Sequence, residues 1–264
     1  MRWIFSSILA LWLLAVLVGQ MLGLDPNAID LNVVLQGPSL QHWFGADDLG
    51  RDILARILGG VRMSLLVALA VTVITMAIGV LVGMLAGFYG GKLDVVLMQI
   101  TDIFLAFPGI LLAIAFAAVL GPGLGNLVLA LSLTGWVSYA RLTRGQTLGL
   151  RNRQHVLAAE SLGATVPRML FRHILPLMTS VLVVEAAYSL ASVMIAEASL
   201  SFLGLGIQAP HASWGAMLRD AVRFMLVAPH YVLIVGLSLM SLILAINLAG
   251  DYLRDQLDVR RDIP

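Results

Sequence analysis

Three carboxylates interrupt otherwise apolar runs of this 264-residue chain: Asp102, Glu185 and Glu197. An ionisable group in hydrocarbon is costly, so it normally faces protein or a water-filled cavity, pairs with another group, or contacts a charged ligand. Asp102 sits about nine residues into its run, ~13 Å along a helix and near mid-membrane. Pro108, six residues on, lacks the amide hydrogen that a helix needs and is expected to kink that run. Glu185 lies in the middle of its run, where two roles stay open: a contact along a transport path, including to a substrate ammonium, or a carboxylate paired internally. Little else suggests bond-making chemistry. Lys92 is the only lysine, in Gly90-Gly91-Lys92-Leu93, with Ala86 where a phosphate-binding loop needs its first glycine and Leu93 where it needs Ser or Thr. The chain has no ATP-hydrolysing site of its own. His42, His155, His173, His211 and His230 are scattered without metal-ligand spacing, so no metal site is expected. No G-x-S-x-G elbow or HExxH helix is present, and no catalytic residue is assigned.

The elements that must carry these groups follow from composition. The chain is 60% hydrophobic and only 12% charged, and its mean hydropathy is +0.96. Soluble domains run at about half apolar and a quarter charged, so this is a membrane protein whose partner surface includes the lipid bilayer. A net charge of +1 gives no footprint for nucleic acid, and the absence of cysteine excludes a disulfide scaffold. Runs of about 20 apolar residues read as spans. They predict an all-α polytopic domain over 1–264 with six transmembrane helices, at about 3–24, 63–87, 93–120, 124–142, 177–200 and 229–250. The first is read as a retained anchor, since it lacks a signal-peptide cleavage site. The stretch 198–218 is long and apolar, but its glycines and Pro210 give it the character of a loop.

Basic residues set orientation. One side holds Arg2, Lys92, Arg141, Arg144, Arg151, Arg153, Arg168, Arg172, Arg254, Arg260 and Arg261; the other holds only Arg51, Arg56, Arg62, Arg219 and Arg223. Both termini are therefore expected in the cytoplasm, with 143–176 a cytoplasmic loop and 25–62 and 201–228 facing outward. Within that loop, 156–162 has helix formers at helical spacing, Gly163 breaks it, and Thr165 and Pro167 suit the start of a second helix. A helix–glycine–helix elbow of this kind either docks a partner or merely covers helix ends. Gly79, Gly83 and Gly87 form one stripe nearly free of Cβ, for close packing inside the chain or against a second subunit.

Ala158-Ala159-x-x-x-Gly163, with Pro176 further on, resembles the EAA loop of permease subunits in ABC importers. Leu157 stands where that family has Glu, and His173 where it has Ile. Phe44-Gly45-Ala46-Asp47-Asp48-Leu49-Gly50-Arg51-Asp52 is similar to the LGTDxxGRD segment of the branch that imports peptides and nickel. Arg62-Met63-Ser64-Leu65, Ala86-Gly87-Phe88-Tyr89-Gly90-Gly91, Glu197-Ala198-Ser199-Leu200-Ser201-Phe202 and Ser213-Trp214-Gly215 follow the same pattern. So does Asn247-Leu248-x-Gly250-Asp251. The chain resembles the second permease of such importers.

That resemblance implies a type I importer permease fold in the bacterial inner membrane. It implies a homologous second permease, two cytoplasmic ATPase subunits that bind the ATP and Mg, and a periplasmic binding protein. Leu157, Ala158, Ala159, Glu160, Leu162, Gly163, Ala164, Pro167 and Arg168 would form the ATPase-coupling loop. Asp102 and Pro108 would act in packing or gating, and Glu197 would fix the loop after it. Asp47, Asp48, Arg51, Leu205, Trp214 and Arg219 are candidates for the binding-protein interface, although for Asp47, Asp48, Arg51 and Asp52 a solvated turn with local ion pairs is the cheaper account. The expected cargo is a di- or oligopeptide, with nickel or a metal chelate as the alternative. A stand-alone secondary transporter is the competing class, for which mid-membrane ion ligands and internal repeats are thin.

Overall fold

The computed structural model describes residues 2–257, with side chains from Ser7 onward apart from Leu9, Leu13 and Gln20. Arg260 and Arg261 lie outside the described residues, as does the side chain of Arg2. Helix α1 covers Arg2–Met21 and leads into an irregular strap, residues 22–52, that folds back over one end of the bundle. The strap contains a short 3-10 turn, Leu31–Val33, capped by Asp30.

Helix α2 covers Ile53–Tyr89, 37 residues, and so starts well before the apolar run at 63. The reason is local: the Asp52 carboxylate accepts a 2.8 Å bond from Ala55 N and caps the first turn. The single span expected over 93–120 is instead two helices, α3 (Gly91–Leu105) and α4 (Gly109–Leu120), which meet at 84°. Pro108 can supply no amide hydrogen and holds Phe107 away from helical geometry, so the chain stops at Ala106 and restarts. Helix α5 (Leu124–Leu150) continues past the expected boundary at 142.

The elbow region holds α6 (Gln154–Ser161) and the single turn α7 (Val166–Arg168). A π-helical segment, Met169–Ile174, then joins α8 (Leu175–Phe202) without a break. That widened turn has an identifiable cause. Pro176 leaves a donor missing, and the ladder shifts so that Leu175 N bonds to Leu170 O, five residues back. Helix α9 (Trp214–Arg223) corrects the loop reading of the segment after α8. The glycines and Pro210 cluster ahead of Trp214, and Ser213 caps the helix by accepting from Ala216 N at 3.2 Å. Helix α10 covers Pro229–Leu257.

Three helices are long and apolar enough to cross a membrane alone: α2, the continuous Val166–Phe202 and α10; the α3–α4 pair qualifies if taken together. Helix α5 is long enough, but its Ser, Thr, Gly and Arg residues make it less apolar. Helix α2 is the axis of the bundle. It packs along its length on α5 and across α8, while α10 lies on α8 and α1. At the strap end, Ile53, Ile57, Trp214, Met217, Tyr231 and Val235 form one core. At the elbow end, Met84, Leu150, Val156, Leu170, Ile174 and Met178 form another.

Candidate functional site

The elbow is a rigid feature. Gly163 adopts φ +79° after α6, Gly163 N donates to Glu160 O at 2.9 Å, and Ala164 N donates to Ala159 O at 3.0 Å. This pair of bonds is a Schellman motif, and only glycine accepts that conformation without strain. Thr165 stands at the start of α7, but its side chain makes no capping bond there. Val156 is buried against Met169, Leu170 and Leu150, which fastens the elbow to the bundle, and Ala159 is buried as well. Ala159 therefore faces the chain's own core. Leu157, Ala158, Glu160, Gly163, Pro167 and Arg168 are exposed, Ala164 is half-buried, and Leu162 is 88% exposed. Leu162 is thus an apolar side chain held outward on the Gly163 turn.

The glycine stripe faces inward. A Cβ on Gly83 would overlap Thr143 Oγ1 and the Ala140 carbonyl, and one on Gly87 would lie 2.8 Å from Arg144 O. Gly79 meets Trp136 and Tyr139 in the same way. The contact of α2 with α5 in this chain accounts for all three glycines. Three arginines on α5 then tie neighbouring elements to it. Arg141 pairs with Asp102 at 2.9 Å, Arg144 grips Asp94 through two bonds, and Arg151 donates to Gly87 O and Phe88 O at the end of α2. Asp102 is thus not a lone carboxylate; it and Arg141 form an exposed strut between α3 and α5. The roles of Asp94 and Arg151 were missed, because each partner lies far away in sequence.

The two acidic residues of α8 behave oppositely. Glu197 is fully buried and accepts from Ser64 Oγ at 2.7 Å and Ser201 Oγ at 2.8 Å. Ser201 Oγ in turn accepts from Ile207 N, so the carboxylate anchors the segment after α8. These surroundings are those of an internal tie rather than of a group along a path. Glu197→Ala is expected to cost about 2–4 kcal/mol by leaving two buried hydroxyls unpaired, with Glu197→Gln recovering part of it. Thermal unfolding in detergent reads this directly; an unchanged midpoint would contradict it. Glu185 is half-buried and makes no hydrogen bond or ion pair among the described residues. It lines a cavity of about 240 Å³ between α4, α5 and α8, near Pro108 at the head of α4.

Half of the nominated strap-end residues, Asp47, Arg51 and Trp214, are interior, which corrects the solvated-turn reading. Asp47 is fully buried, accepting from Leu49 N, Arg51 N and Arg51 Nε, with Arg56 Nε 3.3 Å away. Burial and the adjacent Asp47 push Asp48 above the usual carboxylate range. Trp214 is buried too, donating to Ile57 O at 3.0 Å and filling the space left by Gly60. Leu205 is half-buried against the core of α2, α4 and α5, and Arg219 bonds to Asp220. Only Asp48, Leu205 and Arg219 of the six keep partial access to solvent.

The described residues form a helical bundle with three helices of membrane-crossing length, four if the bent pair is counted, and a cavity between α4, α5 and α8. The profile described as binding-protein-dependent transport system inner membrane component matches residues 79–261, and the chain belongs to that family. Its members are permease components of ABC transporters and not enzymes themselves. The chain is 47% identical over 232 residues to the glutathione transport system permease protein GsiD of Escherichia coli O6:K15:H31, covering 88% of this chain and 77% of that protein. GsiD of Shigella boydii serotype 4 matches to the same extent. Two inward-facing forms of the MetNI methionine ABC transporter share the fold at 20% identity. The native CY5 crystal form gives a TM-score of 0.61 over 75% of this chain and 94% of that one. The SeMet-soaked form gives 0.55 over 78% and 96%.

Proposed function

We propose that this chain is one of the two permease halves of an ATP-driven importer of small peptides in the bacterial inner membrane, with glutathione the first substrate to test. It crosses the membrane six times with both termini in the cytoplasm, α1 and α5 completing the count. A homologous permease forms the other half of the path, and a periplasmic binding protein delivers the cargo at the strap end. Two ATPase subunits, which bind the ATP and Mg, dock on the elbow. The observation that carries this reading is the elbow itself: Leu157, Ala158 and Leu162 held outward by the Gly163 turn, with Val156 and Ala159 anchored in the core. A force applied to such a knob reaches Leu170, Ile174 and Met178, and so the continuous helix through α8. The resemblance of the chain to GsiD, named for glutathione transport, supports the substrate class.

The test is uptake in a strain deleted for this gene and complemented with it. Labelled glutathione and a labelled dipeptide are compared with nickel. Restored uptake of a peptide is expected. Restoration of nickel uptake alone would overturn the substrate assignment.

A further inference from the structure

The cavity beside Glu185 has a chemical character of its own. Thr134, Ser138 and Tyr139 line it from α5, and Glu185, Ser189 and Ser192 from α8. The Tyr139 hydroxyl is buried with its ring, at 1% exposure, and finds no hydrogen-bond partner of good geometry although Ser189 lies beside it. Ser138 and Ser192 reach solvent, so the cavity opens outward from the chain. Glu185 stands ten residues into α8, roughly 15 Å from its start, within the stretch long and apolar enough to cross a membrane. An unpaired carboxylate at the cavity and an unpaired hydroxyl buried in its wall are expensive in such a location unless something arrives to pair with them.

We infer that this cavity is a subsite for the free ammonium group of the transported peptide, with Glu185 as its counter-charge and Tyr139 and the serine hydroxyls as neutral acceptors. The inference rests on the peptide-importer reading given above. One carboxylate ringed by hydroxyls suits a monovalent ammonium with three N–H donors. A divalent cation would ask for more charged or carbonyl oxygens, and no group of three His, Asp or Glu is gathered for a metal among the described residues. A volume of about 240 Å³ is below that of a drug-sized site and fits one end of a small peptide. Ile110, Leu131 and Val193 supply apolar wall for the adjoining carbon atoms.

The experiment uses the full importer, with both permeases, ATPase subunits and binding protein, in proteoliposomes. Uptake of glutathione and of N-acetylglutathione is measured for wild type, Glu185→Gln and Tyr139→Phe. The binding protein is the same in every assay, so its own preference cancels when each variant's uptake is divided by that of wild type for the same substrate. Glu185→Gln is expected to lower glutathione uptake about tenfold or more, the scale of a lost charge-assisted bond, while leaving N-acetylglutathione uptake and ATP hydrolysis nearly unchanged. Tyr139→Phe removes a hydroxyl with no good partner in the chain, so it is expected to leave the folded amount intact and to lower glutathione uptake a few-fold. Equal loss for both substrates would assign Glu185 to folding or to a pair with the sister permease, and would overturn the inference. So would full glutathione uptake by Glu185→Gln. Either result leaves the importer reading standing, whereas a wild-type assembly that carries neither peptide removes both.

Discussion

Ala158→Arg is expected to abolish ATP-driven uptake, by more than a hundredfold, while the protein inserts and folds normally. Ala158 lies on the exposed face of α6 between Leu157 and Leu162, and its neighbours Val156 and Ala159 carry the burial that holds the elbow down. A long charged side chain there meets solvent in the isolated chain and costs the fold little. In the assembly proposed above it would fall in the docking contact, where an unpaired buried charge is strongly unfavourable. Co-purification of the ATPase subunits and uptake in vesicles read the two effects separately. Wild-type uptake by Ala158→Arg would remove the elbow from the coupling route. The matching change at Ala159 is expected to fail differently. Its side chain points into the core, so Ala159→Arg should lower the folded amount as well as the uptake.

Gly83→Leu is expected to destroy the fold outright, even when the chain is expressed without any partner. The glycine lies where α2 crosses α5, with the Ala140 carbonyl and Thr143 Oγ1 in the space a Cβ would take and Arg144 N 2.9 Å from it. Backbone atoms cannot swing aside, so the helices must separate. Over-packing by even one methylene costs about 1–3 kcal/mol, and an isobutyl group at this crossing exceeds that. The same movement breaks the Thr143 Oγ1 bond to Gly79 O and shifts Arg144 and Arg151 from their partners. Size-exclusion of the detergent-solubilised chain is the readout. A monodisperse, full-yield Gly83→Leu protein would mean that the stripe is not the packing seam of this subunit.

These two sites were legible in sequence to different degrees. The elbow was readable because its signals are local: a helical run, a glycine at its end, and Pro167 at the start of the next helix. The stripe was readable as a stripe, since Gly79, Gly83 and Gly87 repeat at near-helical spacing, but its partner was not. Which helix approaches a small-residue face depends on contacts that no single run contains. The strap end shows the opposite failure. Asp47, Arg51 and Arg56 look like a solvated charged turn, yet they are buried because Pro26, the strap and Tyr231 close over them. Nothing in the spacing of those charges reports that cover. Helix α9 was hidden by the glycines before it, and the true start of α2 by the polar residues between Asp52 and Met63. Pro108 announced a kink, but only the packed chain gives the 84° turn that makes two helices of one run. Glu185 and Glu197 share a helix and a residue type. What separates them is the company each keeps: two serine hydroxyls in one case and an open cavity with a partly polar lining in the other.

The most direct test of the account is transport by purified components in proteoliposomes, with this chain and its sister permease reconstituted either with or without the ATPase subunits. Glutathione should accumulate only when the ATPase subunits, ATP and the loaded binding protein are all present, and Ala158→Arg should reduce that accumulation to background. Uptake by this chain alone, driven by an imposed ion gradient in the absence of ATP, would contradict the account and identify a self-contained secondary transporter.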